Sequence, residues 1–205
     1  MTTAAPPTTW LPVIIENLPA DLTEDASWYP GLITPRVGKP GKWNKQPADP
    51  TTAQLAEWSD PSTRCTFSDA YMAYQRDPRF KCIGYMMHGA GIVGIDLDDA
   101  FAEDGSVKPW AQEIVDALPG YWERSVSGTG LRGFCRGVLP PGRRKRTYNG
   151  SSIEIYDVDR FLVTTGHVIH RVDRLPELQA EIEAAHARWF NGGDVSDGAI
   201  ATGRT

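Results

Sequence analysis

Long apolar runs are missing from these 205 residues. No stretch approaches the roughly 18 residues that a membrane-crossing helix needs. The opening segment, MTTAAPPTTWLPVIIENLP, has neither the basic start nor the long apolar core of a secretory signal. Cysteine is scarce: Cys65, Cys82 and Cys135 are too few and too scattered for a disulfide framework or a paired-cysteine zinc site. They read as buried small hydrophobes, and a reducing cytoplasm is the compartment they fit. Cations are in the minority, 21 Lys and Arg against 26 Asp and Glu, for a net charge of −5. That excludes a uniformly basic nucleic-acid coat but not a local basic patch. Core-building residues are plentiful at 40% hydrophobic and 10% aromatic, which excludes wholesale disorder.

Composition divides the chain into three parts. Residues 1–9 are small, polar and proline-containing, and are expected to form a frayed start. Residues 10–190 show no internal linker or repeat and are expected to form one domain. Residues 191–205 are glycine-rich without apolar periodicity and read as a tail or linker leading further. Within the domain, residues 30–65 suggest turns and a short helix around Ala53–Trp58. Thr66 with Asp69 resembles a capping box that opens a helix running to about Gln75. Cys82–Met87 and Ile92–Asp98, joined by His88-Gly89-Ala90-Gly91, predict a β-hairpin. Trp110, Ile114 and Leu118 mark the stripe of an amphipathic helix over 107–118. Tyr121–Val126 and Leu131–Val138 predict strands around a Ser-Gly-Thr-Gly turn, and Ser152–Tyr156 with Phe161–Thr165 another strand pair. A last helix is expected over Pro176–Phe190, with Leu178, Ile182 and Trp189 inward. The pattern is α+β with a largely antiparallel sheet.

The most informative stretch is Gly91–Ala100, GIVGIDLDDA. On a strand, Val93, Ile95 and Leu97 share one face, while Asp96 and Asp98 share the other with Gly94. Two like charges on one strand face repel unless something neutralises them, and a divalent cation with hard oxygen ligands does so. A strand end running into a solvated acidic loop explains a lone Asp-x-Asp equally simply. A second acidic strand, SSIEIYDVD, places Glu154 opposite in direction to Ile153 and Ile155. If it lies beside Asp96 and Asp98, Glu154 completes a three-carboxylate set for two metals about 4 Å apart, the arrangement suited to in-line phosphoryl or nucleotidyl transfer.

Two further segments suggest anion binding. In Ser125-Val126-Ser127-Gly128-Thr129-Gly130-Leu131-Arg132, glycines permit a nest of backbone amides, Ser127 and Thr129 add hydroxyls, and Arg132 can grip a phosphate. A plain hairpin turn would use the same residues. From Arg132 to Arg146 there are six basic residues and no acidic one: Arg132, Arg136, Arg143, Arg144, Lys145 and Arg146. The last four are consecutive and follow Pro140-Pro141-Gly142 on what reads as an exposed loop, solvated or in contact with nucleic-acid phosphates. Lys39, Lys42 and Lys45, interleaved with Trp43, form a weaker second patch. The other tryptophans, Trp10, Trp28, Trp58, Trp110, Trp122 and Trp189, read as core or half-buried anchors rather than base-stacking platforms.

The order of these motifs resembles the prim-pol domain of the archaeo-eukaryotic primase superfamily, above all phage and plasmid primase-polymerases fused to helicases. Its first motif resembles Ile95-Asp96-Leu97-Asp98, and its second Ser127-Gly128-Thr129-Gly130-Leu131-Arg132. Its third resembles Ile153-Glu154-Ile155-Tyr156, followed by Asp159-Arg160-Phe161-Leu162-Val163-Thr164-Thr165-Gly166. Lys42–Pro50, Trp58 and Phe67–Ala70 resemble the preface to the first catalytic strand, so the likeness covers about residues 30–170. Two positions depart: Arg132 stands where the second motif usually ends in His, and Glu154 where Asp is common.

The resemblance implies a compact α+β prim-pol fold, with a mainly antiparallel catalytic sheet (an RRM-like core) and an N-terminal α/β module. It implies template-directed nucleotidyl transfer that makes and extends primers on single-stranded DNA. Asp96, Asp98 and Glu154 would be the catalytic, metal-holding residues, with two Mg²⁺ or Mn²⁺ ions and no zinc. Ser127, Gly128, Thr129, Gly130, Arg132, Arg160 and Lys45 would bind the nucleotide, and Arg143, Arg144, Lys145 and Arg146 the nucleic acid. The implied partners are template, primer, NTP or dNTP and a helicase domain in the same longer chain, in a host cytoplasm and away from any membrane. Two other readings compete. One is a catalytically degenerate nucleic-acid-binding module, motivated by Arg132. The other is a different Asp-x-Asp metal-dependent phosphotransferase or glycosyltransferase.

Overall fold

The computed structural model describes residues 10–191. The expected frayed start at 1–9, and all of the expected tail except Asn191, lie outside the described residues. Two antiparallel sheets carry the fold. The first has four strands in the order β2-β1-β3-β9, formed by β1 (Trp28–Pro35), β2 (Trp43–Pro47), β3 (Cys82–His88) and β9 (Val158–Thr164). The second has six, in the order β10-β5-β6-β4-β8-β7. Its strands are β4 (Ile92–Leu97), β5 (Tyr121–Arg124), β6 (Leu131–Arg136), β7 (Lys145–Tyr148), β8 (Ser151–Tyr156) and β10 (Val168–His170). Among the described residues four α-helices accompany them: α1 (Ala20–Thr23), α2 (Phe67–Arg76), α3 (Pro109–Ala117) and α4 (Gln179–Trp189). The α+β class with largely antiparallel sheets is as the sequence indicates. Among the described residues, no helix is long and apolar enough to cross a membrane.

Local chemistry explains the elements. Thr66 Oγ1 accepts the Asp69 amide at 3.1 Å and donates to Asp69 Oδ2 at 2.7 Å, so the capping box starts α2 where expected. α3 starts on Pro109, whose missing N–H is no loss in a first turn. It buries Trp110, Ala111, Ile114 and Val115. These side chains and Ile182, Ala185 and Trp189 of α4 pack on one face of the six-stranded sheet, against Val93, Ile95, Leu97, Leu131, Ile153 and Ile155. Each such aliphatic side chain contributes about 1.5–3 kcal/mol on burial. The other face meets the four-stranded sheet through Ile83, Tyr85, Met87, Ile92, Tyr121, Phe134 and Leu162. Gly94 makes this close approach possible, because a Cβ there would run into Leu162 Cδ1.

Several local expectations are corrected. Cys82–Met87 and Ile92–Asp98 are strands but not a hairpin: β3 pairs with β1 and β9, and β4 with β6 and β8. Gly89 at φ +79° and Gly91 at φ +72° turn the chain out of one sheet and into the other. Likewise, the strands at Ser152–Tyr156 and Phe161–Thr165 fall in different sheets. Around Ala53–Trp58 there is no helix: Leu55 makes a β-bridge to Ala48, and the only helical turn nearby is the 3₁₀ turn Pro61–Thr63. Residues 30–47, within the 30–65 stretch read as turns, instead hold most of β1 and all of β2. The four-stranded layer also takes its last strand from residues 158–164, so it is not built from the N-terminal part alone.

Candidate active site

Strand pairing brings the three predicted carboxylates to one place. Asp96 of β4 lies opposite Glu154 of β8 and, on its other side, opposite Arg132 of β6. Arg132 in turn lies opposite Glu123 of β5, and Glu154 opposite Lys145 of β7. One row across five strands therefore reads Glu123, Arg132, Asp96, Glu154, Lys145. Alternation along each strand sends these side chains to the face away from α3 and α4, where Ile95, Leu97, Ile153 and Ile155 do not go. The row opens into a cleft of about 810 Å³ whose lining includes Asp96, Asp98, Arg132, Glu154, Arg160 and Lys45. Asp98 follows β4 on the same face as Asp96. Lys45 reaches in from β2, so both sheets contribute.

The charges are partly answered by protein cations. Arg132, 3% exposed, donates to Asp96 Oδ1 at 2.9 Å and to the Val163 carbonyl at 2.5 Å. Glu154 accepts from Arg160 at 2.5 Å, from the Tyr156 hydroxyl at 2.9 Å, from Ser152 at 3.3 Å, and from Lys145. Burial works against both carboxylates. Arg132 and Lys45 outweigh it at Asp96, and the Lys145 hydrogen bond with the Arg160 charge does so at Glu154, so both are held below the usual carboxylate range. Asp98 differs: burial and then the neighbouring charge of Asp96 push its pKa up, and Glu154 adds to this. Lys45 is pushed down by burial and by Arg132.

Among the described residues, no group of three or more His, Cys, Asp or Glu side chains stands ready-arranged to hold a metal ion. Lys145 and Arg160 occupy the Glu154 oxygens and Arg132 occupies one of Asp96. The donor set still suits a hard divalent cation. Asp96 and Glu154 face the cleft from paired strands, and Asp98, just beyond the end of β4, lines it with no ion pair of its own among the described residues.

The predicted nucleotide-binding turn joins β5 to β6 beside this cleft, which Ser127 and Thr129 help to line. Its hydroxyls bond one another, Ser125 to Ser127 at 3.2 Å and Ser127 to Thr129 at 3.0 Å. Gly128 takes φ +78°, as a turn of this kind requires. Two amides of the expected nest are already used internally: Gly128 N donates to the Ser125 carbonyl and Gly130 N to Ser125 Oγ.

The basic run 143–146 does not act as one surface. Alternation along β7 splits it: Lys145 turns to Glu154, while Arg146 is buried and donates to the Trp189 carbonyl at the end of α4. Arg144 donates to the Pro140 carbonyl at 2.7 Å, and Arg143 is exposed. Arg146 therefore lies inside the fold, away from any nucleic acid that the loop could meet. The cysteines behave as small hydrophobes, burial pushing each thiol up to about 12. Of the tryptophans, Trp28, Trp110, Trp122 and Trp189 are core residues, whereas Trp10, Trp43 and Trp58 line the cleft. Sequence reasoning missed Glu123, fully buried and holding the amides of Thr165 at 2.8 Å and Gly166 at 2.7 Å. Its only sequence signal is an acid in a strand otherwise bound for the core.

No protein-family model matches the chain. Among curated proteins it is similar to the DNA primase-polymerase of Nitratiruptor phage NrS-1, 29% identical over 157 residues. The match covers 71% of this chain and 21% of that phage protein. The relationship to a phage primase-polymerase agrees with the motif order, and the chain spans about a fifth of that relative's length.

Proposed function

We propose that this chain forms the catalytic face of a DNA primase-polymerase, adding nucleotides along a single-stranded DNA template. The observation that carries the reading is the meeting of Asp96, Asp98 and Glu154 from adjacent strands in one cation-rimmed cleft. When bound by these carboxylates, one or two Mg²⁺ or Mn²⁺ ions would supply the charge that favours a deprotonated 3′-hydroxyl and a departing pyrophosphate. Arg160 and Lys45 would orient the triphosphate, Ser127 and Thr129 would offer it hydroxyl donors, and Arg132 would fix the Asp96 carboxylate. A helicase domain further along the same polypeptide belongs to this reading through the resemblance alone.

The test is incorporation of labelled nucleotide on single-stranded DNA, with and without an annealed primer, in Mg²⁺ or Mn²⁺. Products should lengthen with time, and Asp96→Ala/Asp98→Ala should reduce the rate by about 10³-fold or more. Wild-type activity in the folded double variant would defeat the assignment. A second reading, a non-catalytic nucleic-acid-binding module, is favoured by one observation: Arg132, Lys145 and Arg160 already satisfy the Asp96 and Glu154 carboxylates. It predicts metal-independent DNA binding and no incorporation by either protein.

A further inference from the structure

From Ala26 to Ala48 the chain has no acidic residue and four cations, Arg36, Lys39, Lys42 and Lys45, although its net charge is −5. The structure folds this segment into the β1–β2 hairpin, registered from Gly31 opposite Pro47 to Pro35 opposite Trp43. Its connecting loop is ordered by backbone bonds: Arg36 N to the Lys42 carbonyl at 2.9 Å, and Lys39 N and Lys42 N each to a carbonyl three residues back at 3.1 Å. The loop nevertheless stands in solvent, with every residue from 36 to 42 exposed. Arg36, Lys42 and Trp43 belong to the wall of the same cleft as Asp96 and Glu154. Trp58 joins them and is 41% exposed, a large apolar ring with much of its surface in water. Trp43 is braced edge-on by Trp10, their ring centroids 5.5 Å apart, which fixes it beside the cleft.

Exposed cations arranged along a ribbon, next to the exposed Trp58 ring and the half-buried Trp43 ring, offer what single-stranded nucleic acid requires: phosphates meet the charges and unpaired bases lie on the rings. A duplex keeps its bases stacked on one another and would have no use for Trp58. The other basic segment is a weaker candidate, since Lys145 and Arg146 are turned to Glu154 and to the end of α4. We propose that the β1–β2 hairpin, with Arg36, Lys39 and Lys42 as phosphate contacts and Trp58 and Trp43 as base platforms, is the surface that guides single-stranded DNA into the cleft. The inference rests on the proposed function for the purpose of the strand, but not for its binding.

Anisotropy of a labelled oligo-dT, without divalent metal or nucleotide, tests it on the full chain. Arg36→Ala/Lys39→Ala/Lys42→Ala should weaken binding and reduce the slope of log K against log salt by about 2, at about 0.7 per phosphate contact. Trp58→Ala should weaken binding about tenfold with little change in slope, and Trp58→Phe should retain most of it. Oligo-dT should also quench the wild-type tryptophan fluorescence more than that of Trp58→Ala. Arg174→Ala, an exposed arginine paired with Glu24, should bind like the wild type. Should Trp58→Ala misfold, Lys39→Glu/Lys42→Glu at exposed positions carries the same test. Unchanged binding in the hairpin variants overturns the proposal. So does a duplex that binds as tightly as oligo-dT while Trp58→Ala has no effect. Failure of the wild type to incorporate nucleotide while these binding changes hold would remove the proposed function and leave the surface assigned.

Discussion

Asp96 and Glu154 stand directly opposite one another across the β4–β8 pair, and each faces a cation on its far side, Arg132 on β6 and Lys145 on β7. Two carboxylates in register would repel if left alone. The flanking cations make the pair tolerable in the fold without any bound ion, and each of those two cations then has a measurable role.

Arg132 is almost wholly buried, and its Nε finds no partner. Removing it strands the Asp96 carboxylate with much of its solvation lost. Arg132→Met is expected to lower unfolding free energy by about 3–5 kcal/mol. Asp96→Asn/Arg132→Met should lose clearly less than the two single losses combined, because the second change removes the stranded charge. Urea unfolding of the four proteins measures this. An Arg132→Met protein as stable as the wild type would show that the ion pair has no structural weight. Arg132→His keeps at most part of the reach to both Asp96 and the Val163 carbonyl, and should fall between.

Glu123 gives the fold a pH signature. Burial pushes its pKa up to about 7 from an ordinary 4.5, despite the amides of Gly166 and Thr165 and the Tyr121 hydroxyl, which favour the charged form. Between those two values the folded state holds more protons than the unfolded one. Stability from this group is therefore greatest below about pH 4.5 and is lost as pH rises toward 7, by up to about 3 kcal/mol. Glu123→Gln cannot titrate, so the stability difference between wild type and Glu123→Gln should shift with pH in that window and flatten above it. Denaturant unfolding from pH 4.5 to 8 checks the sign. A difference that does not shift would place the Glu123 pKa near its ordinary value, and one that shifts the opposite way would place it below that value.

The candidate catalytic face was legible in the sequence because period-two alternation is a strong constraint. Val93, Ile95 and Leu97 had to enter the core, which left Asp96 and Asp98 on the other side, and Ile153 and Ile155 made the same demand of Glu154. What alternation does not carry is pairing between distant segments. The Gly89 and Gly91 turn looks the same whether it closes a hairpin or passes the chain to another sheet, so β3 and β4 were joined where the structure separates them. β1 was hidden by Pro30 and Pro35, which sit at positions a strand seldom allows. Charge counting misjudged the basic run for a related reason: four consecutive cations read as a loop, but the last two, Lys145 and Arg146, open β7 and so turn one to the cleft and one to the core.

Lys145 competes for an oxygen that the proposed metal would use. Its side chain is largely exposed, so the pair with Glu154 is screened and modest in strength. Lys145→Ala is expected to tighten Mn²⁺ binding by about two- to fivefold, read from the paramagnetic resonance of free Mn²⁺. Weaker binding in Lys145→Ala would mean that the lysine organises the site instead of blocking it. Stability should hardly change.

Arg146 distinguishes a cation that supports the fold from one that meets DNA. It is 7% exposed and donates to the Trp189 carbonyl at 3.1 Å, where the last carbonyls of α4 carry partial negative charge. A buried, charge-assisted bond of this kind contributes about 1.5–3 kcal/mol, and its loss leaves a helix end unsatisfied. Arg146→Ala is therefore expected to lower unfolding free energy by about that amount while leaving oligo-dT affinity and its salt dependence unchanged in the folded protein. Lys39→Ala/Lys42→Ala should do the opposite, weakening affinity and the salt slope at unchanged stability. Measuring both quantities on both variants separates the roles. If Arg146→Ala loses DNA affinity with no loss of stability, the 143–146 run is a nucleic-acid surface after all, and the inward placement of its last residue does not govern its function.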